Sequence, residues 1–135
     1  MRYLLDTNTC SYVLRGIASV IERLETKVPS DISVTTITLG EAWSGCLRSS
    51  APSRWRAAWD QLVSPWAILP FDREAAAHCA EIRADLERRG QMIGGHDCQI
   101  AAIARAHGLV VVTHDTGEFR RVPSLVVEDW FSKRP

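Results

Sequence analysis

The chain has 135 residues, 16 basic and 16 acidic side chains, a formal net charge of zero, and 46% hydrophobic residues. This is the composition of a soluble globular protein, and the length fits one ordinary domain, residues 1–135, with a core of its own. Neutrality excludes strong whole-molecule steering toward a polyanion, and no apolar run approaches the ~20 residues that span a bilayer.

Met1-Arg2-Tyr3-Leu4-Leu5 reaches Asp6 before a signal-peptide core forms, so a cytoplasmic protein is expected. The basic side is almost entirely arginine, with Lys27 and Lys133 the only lysines. Arginine's planar fork matches phosphate, but solvated helix surfaces account for most of these residues. Cys10, Cys46, Cys79 and Cys98 are scattered, with no Cys-x-x-Cys pair. A zinc site or disulfide framework is not expected, and each cysteine reads as a small core residue.

Tyr3-Leu4-Leu5 suits a short buried strand ending at Asp6. The pattern turns helical from Thr9, with Gly16 as a stop, and residues 18–27 form a second helix. Ile32 to Ile37 is β-branched and reads as a second strand. Thr38 then opens a helix to about Leu47, and Ala51 to Ser64 forms another, with Trp55 and Trp59 one turn apart. Ala67-Ile68-Leu69 is a third strand. Asp72 caps a long helix to Arg89, closed by Gly90. Gly94-Gly95 breaks the chain before a helix from about Asp97 to His107. Leu109 to Val112 is a fourth strand and Leu125-Val126-Val127 a fifth.

Strands alternate with helices, and the strands are continuous apolar runs. That is the pattern of a parallel sheet covered on both faces, an α/β fold. Such sheets bind ligands at the carboxyl ends of their strands, near a topological switch point. Asp6 and Asp115 both lie just past the end of an apolar strand.

Each acidic candidate also has an ordinary structural role. Asp6, before Thr7-Asn8, suits a turn or helix cap. Thr38-Leu39-Gly40-Glu41 has the form of a capping box, with Glu41 at the third helical position. Gly40 there implies close approach by another backbone or a ligand. Asp97 suits the first turn of its helix. That helix is apolar nearly all round and therefore buried, and a buried carboxylate needs a partner. No neighbouring basic residue in the sequence supplies one; a bound cation would. Asp115 suits an Asx turn leading to Gly117, with Thr113 able to hold a neighbouring carboxylate or a water. Glu118 is expected at the rim of the pocket.

Taken together, Asp6, Glu41, Asp97 and Asp115 would repel and take up protons unless a cation joined them. Carboxylate oxygens suit Mg2+ or Mn2+, and one or two such ions serve phosphodiester hydrolysis. His96 and His114 flank Asp97 and Asp115 and offer a general base, which a metal-supplied nucleophile makes redundant. Trp55, Trp59 and Trp66 read as core or a dimer contact before a base-stacking surface.

Three segments resemble a known family: Leu4-Leu5-Asp6-Thr7-Asn8, Ile93-Gly94-Gly95-His96-Asp97-Cys98-Gln99-Ile100-Ala101-Ala102, and Val112-Thr113-His114-Asp115-Thr116-Gly117-Glu118-Phe119. With the tail Val126-Val127-Glu128-Asp129-Trp130, they resemble the PIN-domain toxins of VapC type over essentially the whole chain. The resemblance implies a three-layer α/β/α sandwich on a five-stranded parallel sheet and Mg2+- or Mn2+-dependent endoribonuclease activity, with tRNA among the possible targets. It also implies a homodimer and a VapB-type antitoxin that inhibits the toxin and carries the complex to DNA. The family's acidic quartet falls on Asp6, Glu41, Asp97 and Asp115, and its supporting polar residues on Thr7, Asn8 and Thr113. His114 departs from the asparagine common there. A haloacid-dehalogenase phosphatase would need an aspartate where Asn8 stands, and a Toprim nuclease an Asp-x-Asp pair that is absent. A non-catalytic PIN-like binding module remains the alternative.

Overall fold

A computed structural model describes residues 1–132. Five parallel strands form one sheet in the order β3-β2-β1-β4-β5. They are β1 (Tyr3–Leu5), β2 (Ile32–Thr35), β3 (Ala67–Leu69), β4 (Val110–Val112) and β5 (Val127–Glu128). The central β1 aligns Leu4 with Val111 and Leu5 with Val112 of β4. Chain order reverses beside β1, so the switch point lies between the ends of β1 and β4.

Alternation along the strands feeds two cores. Leu4 and Val111 pack with α5 (Arg73–Arg88) and α6 (Gly95–His107) on one face. Tyr3, Leu5, Val34 and Val112 pack on the other face with α1 (Thr7–Leu14), α2 (Ala18–Glu25), α3 (Thr36–Arg48) and α4 (Pro52–Val63). The result is the expected α/β/α sandwich. Ile100 through Ala104 on α6 are essentially inaccessible, as an all-round apolar helix must be. Each large side chain so buried contributes about 1.5–3 kcal/mol. Gly16 and Gly90 adopt φ of 78° and 66° where α1 and α5 stop, a left-handed conformation that suits glycine.

Several boundaries differ from the sequence expectation. α1 begins at Thr7, not Thr9, because Asp6 caps it: Thr9 N donates to Asp6 Oδ1 at 2.8 Å. β2 stops at Thr35, two residues early, because the Thr35 hydroxyl accepts from Thr38 N at 3.1 Å and starts α3 there. Thr38 is therefore not the cap, and Glu41 lies beyond the first turn, outside any capping box. α6 starts at Gly95, with Gly94 as a cap that makes no side-chain bond. β5 is the pair Val127–Glu128 rather than residues 125–127. A 3-10 turn at Pro29–Asp31 and the short helix α7 (Thr116–Phe119) were not anticipated. Trp59 and Trp130 are buried, while Trp55 and Trp66 are partly exposed. The four cysteines are free. No helix among the described residues is long and apolar enough to cross a membrane.

The cap assignment has a direct test. Thr35→Val keeps the shape of this buried side chain but leaves Thr38 N without an acceptor, and should cost about 1–2 kcal/mol in chemical denaturation. Thr35→Ser should retain most of the stability. Equal loss in both variants would count against the cap.

Candidate active site

Asp6 leaves the end of β1 at the switch point and is 5% exposed. Its amide donates to Val112 O at 3.1 Å, and its carboxylate is fixed by the Thr9 amide. The Thr9 hydroxyl also donates to Val112 O, at 3.1 Å. Burial pushes the Asp6 carboxyl above its usual pKa; hydrogen bonds from Thr113 and Thr9 oppose that shift, and the Asp115 charge adds to it. Asp6 is thus both a helix cap and a partly frustrated buried acid.

Asp97 stands in the first turn of α6, half-buried, and caps nothing. Its carboxylate lies within 4.8 Å of those of Asp115 and Glu118. Desolvation raises its pKa to about 7; its hydrogen bond and charge interaction with Glu118 and the charges of Asp6 and Asp115 add to the rise. A carboxylate–carboxylate hydrogen bond requires a proton on one partner, so the nearness of Glu118 favours the protonated form of Asp97.

Asp115 is exposed, and Thr113 Oγ1 accepts from its amide at 2.9 Å. No side-chain cap bond forms at the start of α7, so the Asx role is not taken. α7 instead turns Glu118 inward. Glu118 belongs to the centre of the group and not to its rim, which corrects the sequence expectation. The missed signal was the spacing: Asp115 and Glu118 are three apart and share one side of a helical turn.

Glu41 is not part of that tight group. It approaches from α3 and shares with Gly94, Gly95, His96 and Asp97 an open cleft of about 460 Å3. The Thr7 hydroxyl donates to Glu41 Oε1 at 2.6 Å, and His96 Nδ1 lies 3.2 Å from Oε2. Asn8 is exposed and lines a neighbouring groove with Ser11, Leu14, Arg15, Trp55 and Trp59. That groove continues along Thr7, Ser11 and Ser49 to Glu41.

Among the described residues, no arginine or lysine pairs with Asp6, Glu41, Asp97, Asp115 or Glu118. The donor set is all oxygen and anionic, so it fits a hard divalent cation and not zinc or copper.

A PIN-domain family model matches residues 3–125. The chain belongs to the PIN-domain family, in its VapC branch. It is 37% identical to the tRNA(fMet)-specific endonuclease VapC of Salmonella typhimurium, over 96% of this chain and 98% of that protein. Its structure is similar to that of DNA-bound VapBC from Salmonella typhimurium, with a TM-score of 0.91, 37% identity, and 96% and 98% of the two chains covered. It is also similar to VapBC2 from Rickettsia felis bound to a promoter DNA fragment, with a TM-score of 0.89, 32% identity, and 96% and 99% covered. In this PIN domain the acidic residues come from β1, α3, α6 and the segment after β4, so the fold rather than sequence proximity assembles them.

The raised pKa of Asp97 makes a pH prediction. Between 3.8 and about 7 the folded chain holds a proton that the unfolded chain has released. The associated stability is full below 3.8 and is lost as pH rises through about 7. In chelator, the denaturation midpoint of the parent relative to Asp97→Asn should therefore fall across that window. A difference independent of pH would remove the carboxylate cluster as its cause.

Proposed function

We propose that this chain, over 1–135 as one PIN domain, is the toxin of a type II toxin–antitoxin pair and a Mg2+- or Mn2+-dependent endoribonuclease. The observation that carries the reading is the approach of Asp97, Asp115 and Glu118 to within 4.8 Å with no arginine or lysine paired to them among the described residues. Asp6, Glu41, Asp97 and Asp115 are the proposed metal ligands and catalytic set, with Glu118 added from the geometry. A divalent cation held there supplies Lewis acidity for attack of water on a phosphodiester.

The protein's own residues do the positioning. Thr9 and Thr113 fix the Asp6 carboxylate, so the deepest ligand needs no rearrangement. Thr7 holds Glu41 on the opposite wall of the cleft, and Asn8 extends the polar lining beyond it. Glu41, held by hydrogen bonds at both oxygens, is oriented to accept a proton or to steer a water. His96 Nδ1, 3.2 Å from Oε2, holds the second oxygen of Glu41. Prearranged oxygen acceptors of this kind avoid reorganisation at the moment of reaction.

The name of the Salmonella relative supports RNA as substrate and specifies tRNA(fMet); tRNA is the target class to assay first. The solved relatives described as VapBC, two of them DNA-bound, support a VapB-type antitoxin partner; that DNA is reached through the antitoxin and that the toxin forms a homodimer are part of the same proposal. The groove along Thr7, Ser11, Trp55 and Trp59 offers an apolar floor for an antitoxin segment. An antitoxin arginine or lysine entering the carboxylate cleft would displace the cation.

Purified protein should cleave labelled RNA with Mg2+ or Mn2+ and stop in chelator. Asp97→Asn should lose at least about 100-fold in rate, since even outer partners of metal ligands cost 10–100-fold. The cation at 100 times its Kd should also stabilise the folded parent by about 2.7 kcal/mol, and this gain should shrink in the variant. Retention of cleavage within a few-fold would sink Asp97 as a ligand.

In cells, expression of the chain alone should arrest growth, and co-expression of its antitoxin should restore it. Asp6→Asn is the informative control, because asparagine preserves the α1 cap while removing the charge. It should be harmless yet still bind the antitoxin. Arrest as strong as that of the parent would mean that toxicity arises from binding, and the non-catalytic module would move ahead.

A further inference from the structure

His114 is fixed one residue from Asp115, and a built aromatic wall stands behind it. Its Nδ1 donates to Asp129 Oδ2 at 3.0 Å. Asp129 is locked in turn: Oδ1 accepts from Phe131 N at 2.9 Å and Ser132 N at 3.3 Å, and Oδ2 accepts from Ser132 Oγ at 2.7 Å. The imidazole lies against the Phe131 ring, with centroids 4.4 Å apart and planes at 35°. Phe131 meets Tyr12 of α1 at 4.7 Å. The Arg15 guanidinium sits 5.1 Å from the Tyr12 ring centre.

Despite these contacts the His114 side chain keeps 43% of its surface exposed. Phe131 covers one face and Asp129 takes the Nδ1 edge. Tyr12 stands edge-on to the same ring, with centroids 6.3 Å apart and planes at 78°, and the exposed area is what these three neighbours leave uncovered. The ring is thus rigid, backed and open on one side, at the carboxyl edge of the sheet where the acidic residues gather. Consecutive Cα atoms lie about 3.8 Å apart, so His114 stands one residue from a phosphate held at Asp115.

We propose that the open face of His114, backed by Phe131 and Tyr12, stacks an unpaired nucleobase of the RNA substrate beside the scissile phosphate. Arg15 lies along the same wall as a contact for the strand's backbone. The inference rests on the ribonuclease reading above and adds a requirement to it: the substrate must offer a base free to leave its own stack, as in a loop or single strand. A fixed aromatic ring takes any base by its π-face, so His114 selects exposure of the base more than its identity.

The competing role for His114 is a tether that holds the segment after β5 to the segment after β4. The two roles ask for different side chains. Stacking needs a ring, which His114→Phe keeps while losing the donor to Asp129. Tethering needs a donor, which His114→Asn keeps while losing the ring.

The probe is a set of single-stranded RNA oligonucleotides with 2-aminopurine at successive positions, titrated in chelator so that binding is read without cleavage. The parent should quench the fluorophore at one position. His114→Phe should quench there and bind within about threefold, whereas His114→Ala and His114→Asn should lose the quench and bind about 10-fold to 100-fold more weakly. In Mg2+ or Mn2+ the loss in these two variants should fall mainly on KM. Rescue by Asn and failure of Phe would overturn the proposal in favour of the tether. So would parent-like quenching in all three variants, or no quenching by the parent at any position. Position-specific quenching without cleavage in any metal would sink the ribonuclease reading alone and leave the stacking face standing.

Discussion

Mutual repulsion among carboxylates is the constraint around which the carboxyl edge of this sheet is organised. Asp97, Asp115 and Glu118 come within 4.8 Å of one another, and burial adds to the cost of ionising Asp97. Left alone, Asp97 favours its protonated form: desolvation first, and then the neighbouring carboxylates, raise its pKa to about 7. A doubly charged ion relieves the same repulsion more completely. The rest of the fold resists the scattering of these groups. β1 and β4 are locked in register, α6 is buried from Ile100 to Ala104, and Thr9 and Thr113 hold Asp6 from two sides.

The molecule as a whole carries no net charge, so the acidity is a local property. Some of its arginines are held elsewhere, in exposed pairs such as Arg56 with Asp60 and Arg89 with Asp85. Exposed pairs of this sort add little to stability. Their consequence is positional: charges neutralised on helix surfaces are not available to quench the cleft. A polyanionic substrate must therefore be received by local contacts, because the molecule's overall field gives no attraction.

Much of this was legible in the sequence, for identifiable reasons. Continuous apolar runs gave the parallel sheet, and its location rule pointed to Asp6 and Asp115. Asp97 stood out because a buried helix carried an acid with no partner. What escaped was set by competition at segment ends. Asp6 and Thr35 each captured an amide three residues on and moved a helix start forward, which took Glu41 out of the box its spacing implied. Glu118 was placed at the rim because a four-residue helix leaves almost no periodic signal, yet that turn brings it to the centre. The pairing of His114 with Asp129 spans the segments after two adjacent strands, a relation that only register supplies.

Asp6 joins two demands in one side chain. Its carboxylate closes the first turn of α1 and also faces the acidic cluster. A lineage under pressure to shed a harmful activity would find this position awkward. Alanine, valine, glycine, histidine, tyrosine and glutamate are all one base change from an aspartate codon. Each either loses the short side-chain oxygen that ends the helix or forces added bulk into a 5%-exposed site. Asparagine alone removes the charge and keeps the cap. At this residue, silencing the chemistry without loosening the fold is a narrow route, because the other one-base neighbours weaken the cap or crowd the site.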